Sequence, residues 1–264
     1  MSAAGRIELP GGPLAYVEAG RGPAVALLHQ TPRSSDEYRD VVGLLAAAGY
    51  RALAFDTPGF GDSAPLAGGP AIEGWAAAIG DGLDALAVER VVLVGHHTGG
   101  VVAAALAARR PGRVAALVLS STPLTDAAYR AAPPDESGVD AASDAVGLRA
   151  SRAGFYPAGR PDLLDRYVAD ALRAGPLRLG GHHAVGAYAM DGALETLRTL
   201  PVLLVGATAD PYAYPQLARM RAALPAAEVA EIDGGMVPLP DGRPEEFAAV
   251  VAAFLDRVLG RGAR

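Results

Sequence analysis

The sequence predicts an α/β protein with a mostly parallel sheet and helices on both faces. Three observations predict it. Short apolar runs alternate with segments of helical periodicity along most of the 264 residues, the rhythm of strand–helix–strand units. Most of these runs are apolar at consecutive positions, as in strands covered on both sides. Gly- and Pro-rich stretches separate them where turns are needed.

Taken in order, residues 6–9 and 14–19 flank Pro10-Gly11-Gly12 and read as a hairpin. Residues 24–28 are a buried strand ending in His29-Gln30-Thr31-Pro32. Tyr38, Val41, Val42 and Leu45 repeat at helical spacing and predict a helix over 36–48, stopped by Gly49. A strand at 51–55 runs into the loop Asp56 to Ser63. A helix is expected over 72–88, weakened by its glycines, then a strand at 90–94, a helix over 98–109 and a strand at 113–119. From Ser120 to about Asp191 strand signals fade, and helices are expected at 141–152 and 161–174. Alternation resumes with a strand at 201–205, a helix at 214–223, a strand at 228–232 and a closing helix at 244–259.

Composition narrows the function. There is no cysteine, which excludes disulfides, thiolate metal sites and a cysteine nucleophile. There is no lysine either, which removes Schiff-base chemistry. The net charge is −6 with no basic cluster, so no nucleic-acid partner is expected. No run approaches the roughly 18 apolar residues of a membrane span, and no secretory h-region is seen near the start. The expectation is a cytoplasmic protein with a small-molecule substrate, no membrane partner, no cofactor and no metal; a homodimer is compatible with it.

Five landmarks then fall in one order: HQTP (29–32), DTPGFGDS (56–63), GHHTGG (95–100), GATADPY (206–212) and GGMVPLPDGRPEEF (234–247). Together they resemble the α/β-hydrolase fold superfamily, in its capped, lipase- and esterase-like form. The resemblance implies an eight-stranded-type sheet with a helical cap inserted after the sixth strand. The core is then expected at 1–120 and 192–264, and the cap at 121–191. HQTP is similar to the oxyanion loop H-G-x-P, with Gln30 for Gly. GHHTG is similar to the nucleophile elbow G-x-S-x-G.

Two departures fall on the catalytic triad. His97 stands at the nucleophile's place, and Met236 stands where the family's histidine would align. The histidines are His29, His96, His97, His182 and His183, so none follows the acid position Asp210 and the order Ser…Asp…His cannot be built. The expectation is therefore a general base made of His97 helped by Asp210. The N–H groups of Thr31 and Thr98 are the implied oxyanion donors, and Gln30 is a further amide for a ligand. His182, His183 and Tyr188 are candidate contributors from the lid. Phe155, Tyr156 and Tyr167, with Tyr129 and Trp75, are candidates for an apolar wall. His29, His96, Asp56 and Ser63 read as structural, and Asp126 as a reserve for the acid. The function expected is chemistry without a covalent nucleophile on a small carbonyl, ester, lactone or epoxide-like substrate, hydrolytic or as a cyclase or lyase. A non-catalytic small-molecule-binding protein is the alternative. A relocated serine nucleophile (Ser34, Ser35, Ser120 or Ser121) is the third reading.

Overall fold

A computed structural model describes residues 2–131 and 144–261. Eight strands form one sheet: β1 (Ala3–Leu9), β2 (Gly12–Ala19), β3 (Ala24–Leu28), β4 (Arg51–Phe55), β5 (Val91–His96), β6 (Val114–Ser120), β7 (Val202–Ala207) and β8 (Glu228–Ile232). Their order is β1-β2-β4-β3-β5-β6-β7-β8. β1 and β2 form the expected hairpin, with Leu9 opposite Gly12, and β2 runs antiparallel to β4. The neighbours from β4 to β8 are all parallel.

Side-chain alternation divides the apolar runs between two faces. Leu53, Phe55 and Leu93 point to one core, which takes α2 (Ile72–Ala85) and α3 (Thr98–Arg109). Ala52, Ala54, Val92 and Val94 point to the other, which takes α1 (Arg39–Ala47) and the last helix, Pro244–Val258. Only the helices supply the cover, which is why the strands between them read as unbroken apolar runs. α3 is buried nearly all round, and its Gly and Ala residues let it lie close to the sheet. α2 ends three residues before the expected 88, because Ala87 takes φ +52° and breaks the helical path.

Between β6 and β7 the chain forms α4 (Ala127–Ala131), α5 (Ala145–Arg152), α6 (Pro161–Ala174), α7 (Leu177–Ala187) and α8 (Leu194–Leu197). Part of the helix expected at 141–152 lies outside the described residues. α7 has no counterpart in the sequence reading. Its two central glycines mask the helical period, and one of them, Gly181, is needed where α7 meets the core: a Cβ there would stand 2.5 Å from the Thr31 side chain. α5 and α6 share a small core of Leu148, Tyr156, Leu163, Tyr167 and Val168. The remaining helices are α9 (Tyr214–Ala223), α10 (Leu239–Gly242) and α11, the closing helix named above. No described helix is long and apolar enough to cross a membrane.

Candidate active site

The site is built at the carboxyl ends of the parallel strands, where open α/β sheets place their ligands. β5 ends in His96, and His97 follows with φ +46° and ψ −115° before α3 begins. Such a conformation strains any residue with a side chain and persists only where the surroundings enforce it. Here they do. His97 N–H donates to Ser120 O at 2.9 Å, and Gly100 N–H to His97 O at 3.0 Å. A side chain on Gly99 would collide with Leu28 O, and one on Gly95 with the backbone of Gly99.

The turn aims the His97 imidazole at Asp210, which lies just beyond β7. His97 Nε2 donates to Asp210 Oδ2 at 2.8 Å. Asp210 Oδ1 accepts from Tyr212 N–H at 2.9 Å and from Ala213 N–H at 3.0 Å. Burial by itself would raise this carboxyl. The facing imidazole and the two N–H groups outweigh it and hold the acid well below the usual carboxylate range. With Nε2 committed as donor, Nδ1 is the ring nitrogen left with a lone pair.

His97 opens onto a cavity of about 200 Å³. Gln30, Thr31, Thr98 and His182 line it, with an aromatic wall of Tyr129, Phe155, Tyr156, Tyr167 and Tyr212. Thr31 follows β3, and Thr98 is the first residue of α3. Among the described residues no acceptor meets either backbone N–H.

Comparison with known proteins places this architecture. The family model of the alpha/beta hydrolase fold matches residues 23–199, about two thirds of the chain. The chain belongs to the α/β-hydrolase fold family. Bifunctional epoxide hydrolase 2 of Rattus norvegicus is 38% identical over 120 residues, which are 44% of this chain and 21% of the rat protein. Haloalkane dehalogenase 2 of Mycobacterium tuberculosis is 37% identical over 112 residues, 42% of this chain and 39% of that protein. The chain thus matches well under half the length of either relative. A bromoperoxidase structure from Bacillus anthracis superposes with a TM-score of 0.78 at 25% identity, covering 96% of this chain and all of that one.

In this hydrolase-fold site some expected residues fall elsewhere. Gln30 lines the cavity, but its Nε2 donates to Glu37 Oε1 at 2.5 Å and its backbone N–H to Oε2 at 2.9 Å. It braces the loop that carries Thr31, and one of the two N–H groups of its amide is committed there. His183 is exposed, because adjacent residues on α7 face different ways and only His182 turns inward. Tyr188 follows α7 and packs into the core beneath it, so its ring does not line the cavity. Trp75 is likewise core, with Nε1 donating to Pro58 O at 2.9 Å. Met236 is half-buried and borders a neighbouring pocket with Leu239 and Arg243. Asp126 is not a lining residue; it pairs with Arg219 at 2.7 Å.

The structural histidines have defined partners. His96 Nε2 donates to Val237 O at 2.7 Å, so Nδ1 accepts from Ser120 Oγ at 3.0 Å. Burial, then the neighbouring His97, pushes its pKa down to about 3. His29 Nδ1 donates to Gln30 O at 2.8 Å, and Nε2 accepts from Thr57 N–H at 2.9 Å. Asp56 accepts from the N–H groups of Ser35 and Asp62, both at 2.7 Å. Of the four candidate serines none lines the cavity: Ser34 holds Asp170, and Ser120 holds His96. Among the described residues no group of three or more His, Asp or Glu is placed to hold a metal.

Sequence reasoning missed Arg152, Tyr212 and Gln216 on the cavity wall. Tyr212 was within reach, since it ends the GATADPY landmark. Arg152 carries no local signal; it is one arginine among the 23 basic residues, all of them arginine.

Proposed function

We propose that the protein is a hydrolase-fold enzyme in which His97 is the general base and Asp210 orients it. The substrate is a small carbonyl, ester, lactone or epoxide-like compound. The observation that carries this reading is the 2.8 Å contact between His97 Nε2 and Asp210 Oδ2 at the cavity wall. In a Ser-His-Asp triad the acid holds Nδ1 and Nε2 does the work. Here the roles of the two nitrogens are exchanged. His97 Nδ1 takes a proton from water or from an acidic C–H or O–H of the substrate. The released electron pair drives addition to a carbonyl or epoxide carbon, or forms an enolate. The N–H groups of Thr31 and Thr98 receive the negative oxygen, and the carboxylate of Asp210 stabilises the imidazolium. In hydrolysis the C–O bond of the ester, lactone or epoxide breaks and Nδ1 returns the proton to the leaving oxygen; an enolate takes the proton back at carbon. No acyl-enzyme forms. A relative named for epoxide hydrolysis supports the epoxide end of this range.

Residues 121–191 act in this reading as a lid over a core of 1–120 and 192–264. Turnover of a panel of aryl esters, lactones and epoxides by His97→Ala and His97→Gln tests the base. Positioned general bases are worth about 10²- to 10⁴-fold, so both variants lose activity by that order. Full activity in His97→Ala overturns the proposal. Loss of the family's histidine at Met236 favours a second reading, a binding protein, which returns its ligand chemically unchanged after long incubation.

A further inference from the structure

One imidazole on the cavity wall has no task in the chemistry above. His182 lines the same cavity as His97, Thr31 and Thr98. Val185 of α7 lines it too, and residues three apart share one face of a helix, so this face of α7 is the one turned inward. The two residues before His182 fix where that face lies. A Cβ on Gly180 would stand 2.8 Å from Pro70, and one on Gly181 2.5 Å from the Thr31 side chain. The α7 backbone is thus pressed onto the loop that carries Thr31, and His182 follows with no flexible spacer.

The ring itself is unengaged. Among the described residues neither nitrogen of His182 has a hydrogen-bond partner. The other buried imidazoles are committed. His29 and His96 use both nitrogens, and His97 gives Nε2 to Asp210. Burial, then the charge of Arg152 and the nearby His97, pushes the pKa of His182 down to about 4. At neutral pH the ring is therefore uncharged, with one N–H and one lone pair. A neutral imidazole N–H is a suitable donor to a substrate oxygen that gains negative charge. In the general-base reading the N–H groups of Thr31 and Thr98 receive the carbonyl oxygen. The oxygen that departs has no donor until the proton arrives from His97.

We propose that His182 is a catalytic residue that donates a hydrogen bond from its ring N–H to the leaving oxygen of an ester or lactone. Water adds to the carbonyl carbon as His97 Nδ1 takes its proton. The carbonyl then re-forms, the C–O bond breaks with its electron pair on the departing oxygen, and Nδ1 gives that oxygen the proton. The N–H bond of His182 stays intact throughout. Its hydrogen bond strengthens as charge builds on the leaving oxygen, so it favours the transition state over the bound substrate. The assignment rests on the general-base reading above but fails separately from it.

The test measures kcat/KM for 4-nitrophenyl acetate and benzyl acetate, two acetates of similar size whose leaving oxygens differ in basicity. His182→Phe keeps a ring and removes the N–H. It lowers the benzyl rate at least about 10-fold more than the 4-nitrophenyl rate, the scale of a hydrogen bond to a charged oxygen. The loss lies in kcat more than in KM. His182→Gln, which keeps an N–H donor, recovers part of the ratio. An unchanged ratio of the two rates in His182→Phe overturns the proposal, as does turnover of the 4-nitrophenyl ester alone by the unaltered protein. Each ratio is taken within one protein, so a partly folded variant lowers both rates and leaves the ratio intact; His182→Ala reads the same ratio should His182→Phe not fold. Turnover of neither ester by the unaltered protein overturns the base and the donor together. Full turnover in His97→Ala, with the His182 effect on the ratio intact, removes the general base alone.

Discussion

His97 combines a strained backbone with a short contact to a buried carboxylate, and each accounts for the other. The φ of +46° aims the ring at Asp210, and the 2.8 Å bond gives one tautomer the advantage. Asp210→Asn changes that. An amide donates as readily as it accepts, so the imidazole can present either nitrogen. The expected outcome is a fall in kcat of about 10²-fold or more with KM changed little, read from steady-state kinetics. A second residue-scale prediction concerns His96. Unfolded, an imidazole titrates near 6.5; folded, His96 does so only near about 3. Below about pH 6.5 the unfolded chain therefore binds one more proton than the folded one, and stability is lost as the pH falls toward the folded value. The cost is about 1.4 kcal/mol per pH unit for this one group. Urea unfolding between pH 6.5 and 4.5 checks it. His96→Asn has lower stability at neutral pH but a shallower decline in acid.

At the scale of elements, the junction of β5 with α3 is packed without slack. Gly99 lies against the carbonyl of Leu28, so the first turn of α3 touches the end of β3. This contact brings Thr98 beside the Thr31 loop. Gly99→Ala forces backbone apart where no flexible side chain is available to yield. The expected loss is about 1–3 kcal/mol in chemical denaturation, the scale of overpacking in a rigid core. Activity falls further than stability, because the two N–H groups separate. α7 is placed by the mirror of this argument. Gly181 allows close approach to Thr31, and the next residue, His182, is thereby delivered to the cavity.

At the scale of the whole molecule, the helices between β6 and β7 are fastened to the core by a buried ion network. Arg33, with no exposed side-chain surface, pairs with Asp241 of α10 and, at 2.9 Å, with Asp170 of α6. Arg166 of α6 reaches Asp241 at 3.0 Å and also pairs with Asp36. Glu37 sits beside them, its pKa pushed up to about 8 by burial. Removing one member leaves charges stranded in low dielectric. Arg33→Met is expected to cost about 3–5 kcal/mol, measured as the shift in urea midpoint at constant m-value. Because Glu37 also holds Gln30, the same variant loosens the loop that carries Thr31. Hydrogen exchange should rise in α6 and in residues 29–37 together.

Local pattern predicts the mostly parallel sheet, and the resemblance to the α/β-hydrolase fold, carried by short motifs, supplies the elbow and the missing triad histidine. Strand burial, the Gly95–Gly99 bracket and the position of the last histidine in the chain are short-range features, so the residues state them directly. The limits read from the sequence for α3, 98–109, and for α9, 214–223, are those of the structure. The geometry of the site is a matter of long-range packing. Whether the gap between residues 97 and 210 closes to a hydrogen bond depends on how β5, β6 and β7 lie side by side. Whether His182 or His183 turns inward depends on where α7 docks, and α7 is hidden in the sequence by the glycines that let it dock. Arg152 and Arg33 look like any other arginines until tertiary burial withdraws their solvent. Burial makes one a charge in the cavity wall and the other the pin between two parts of the fold.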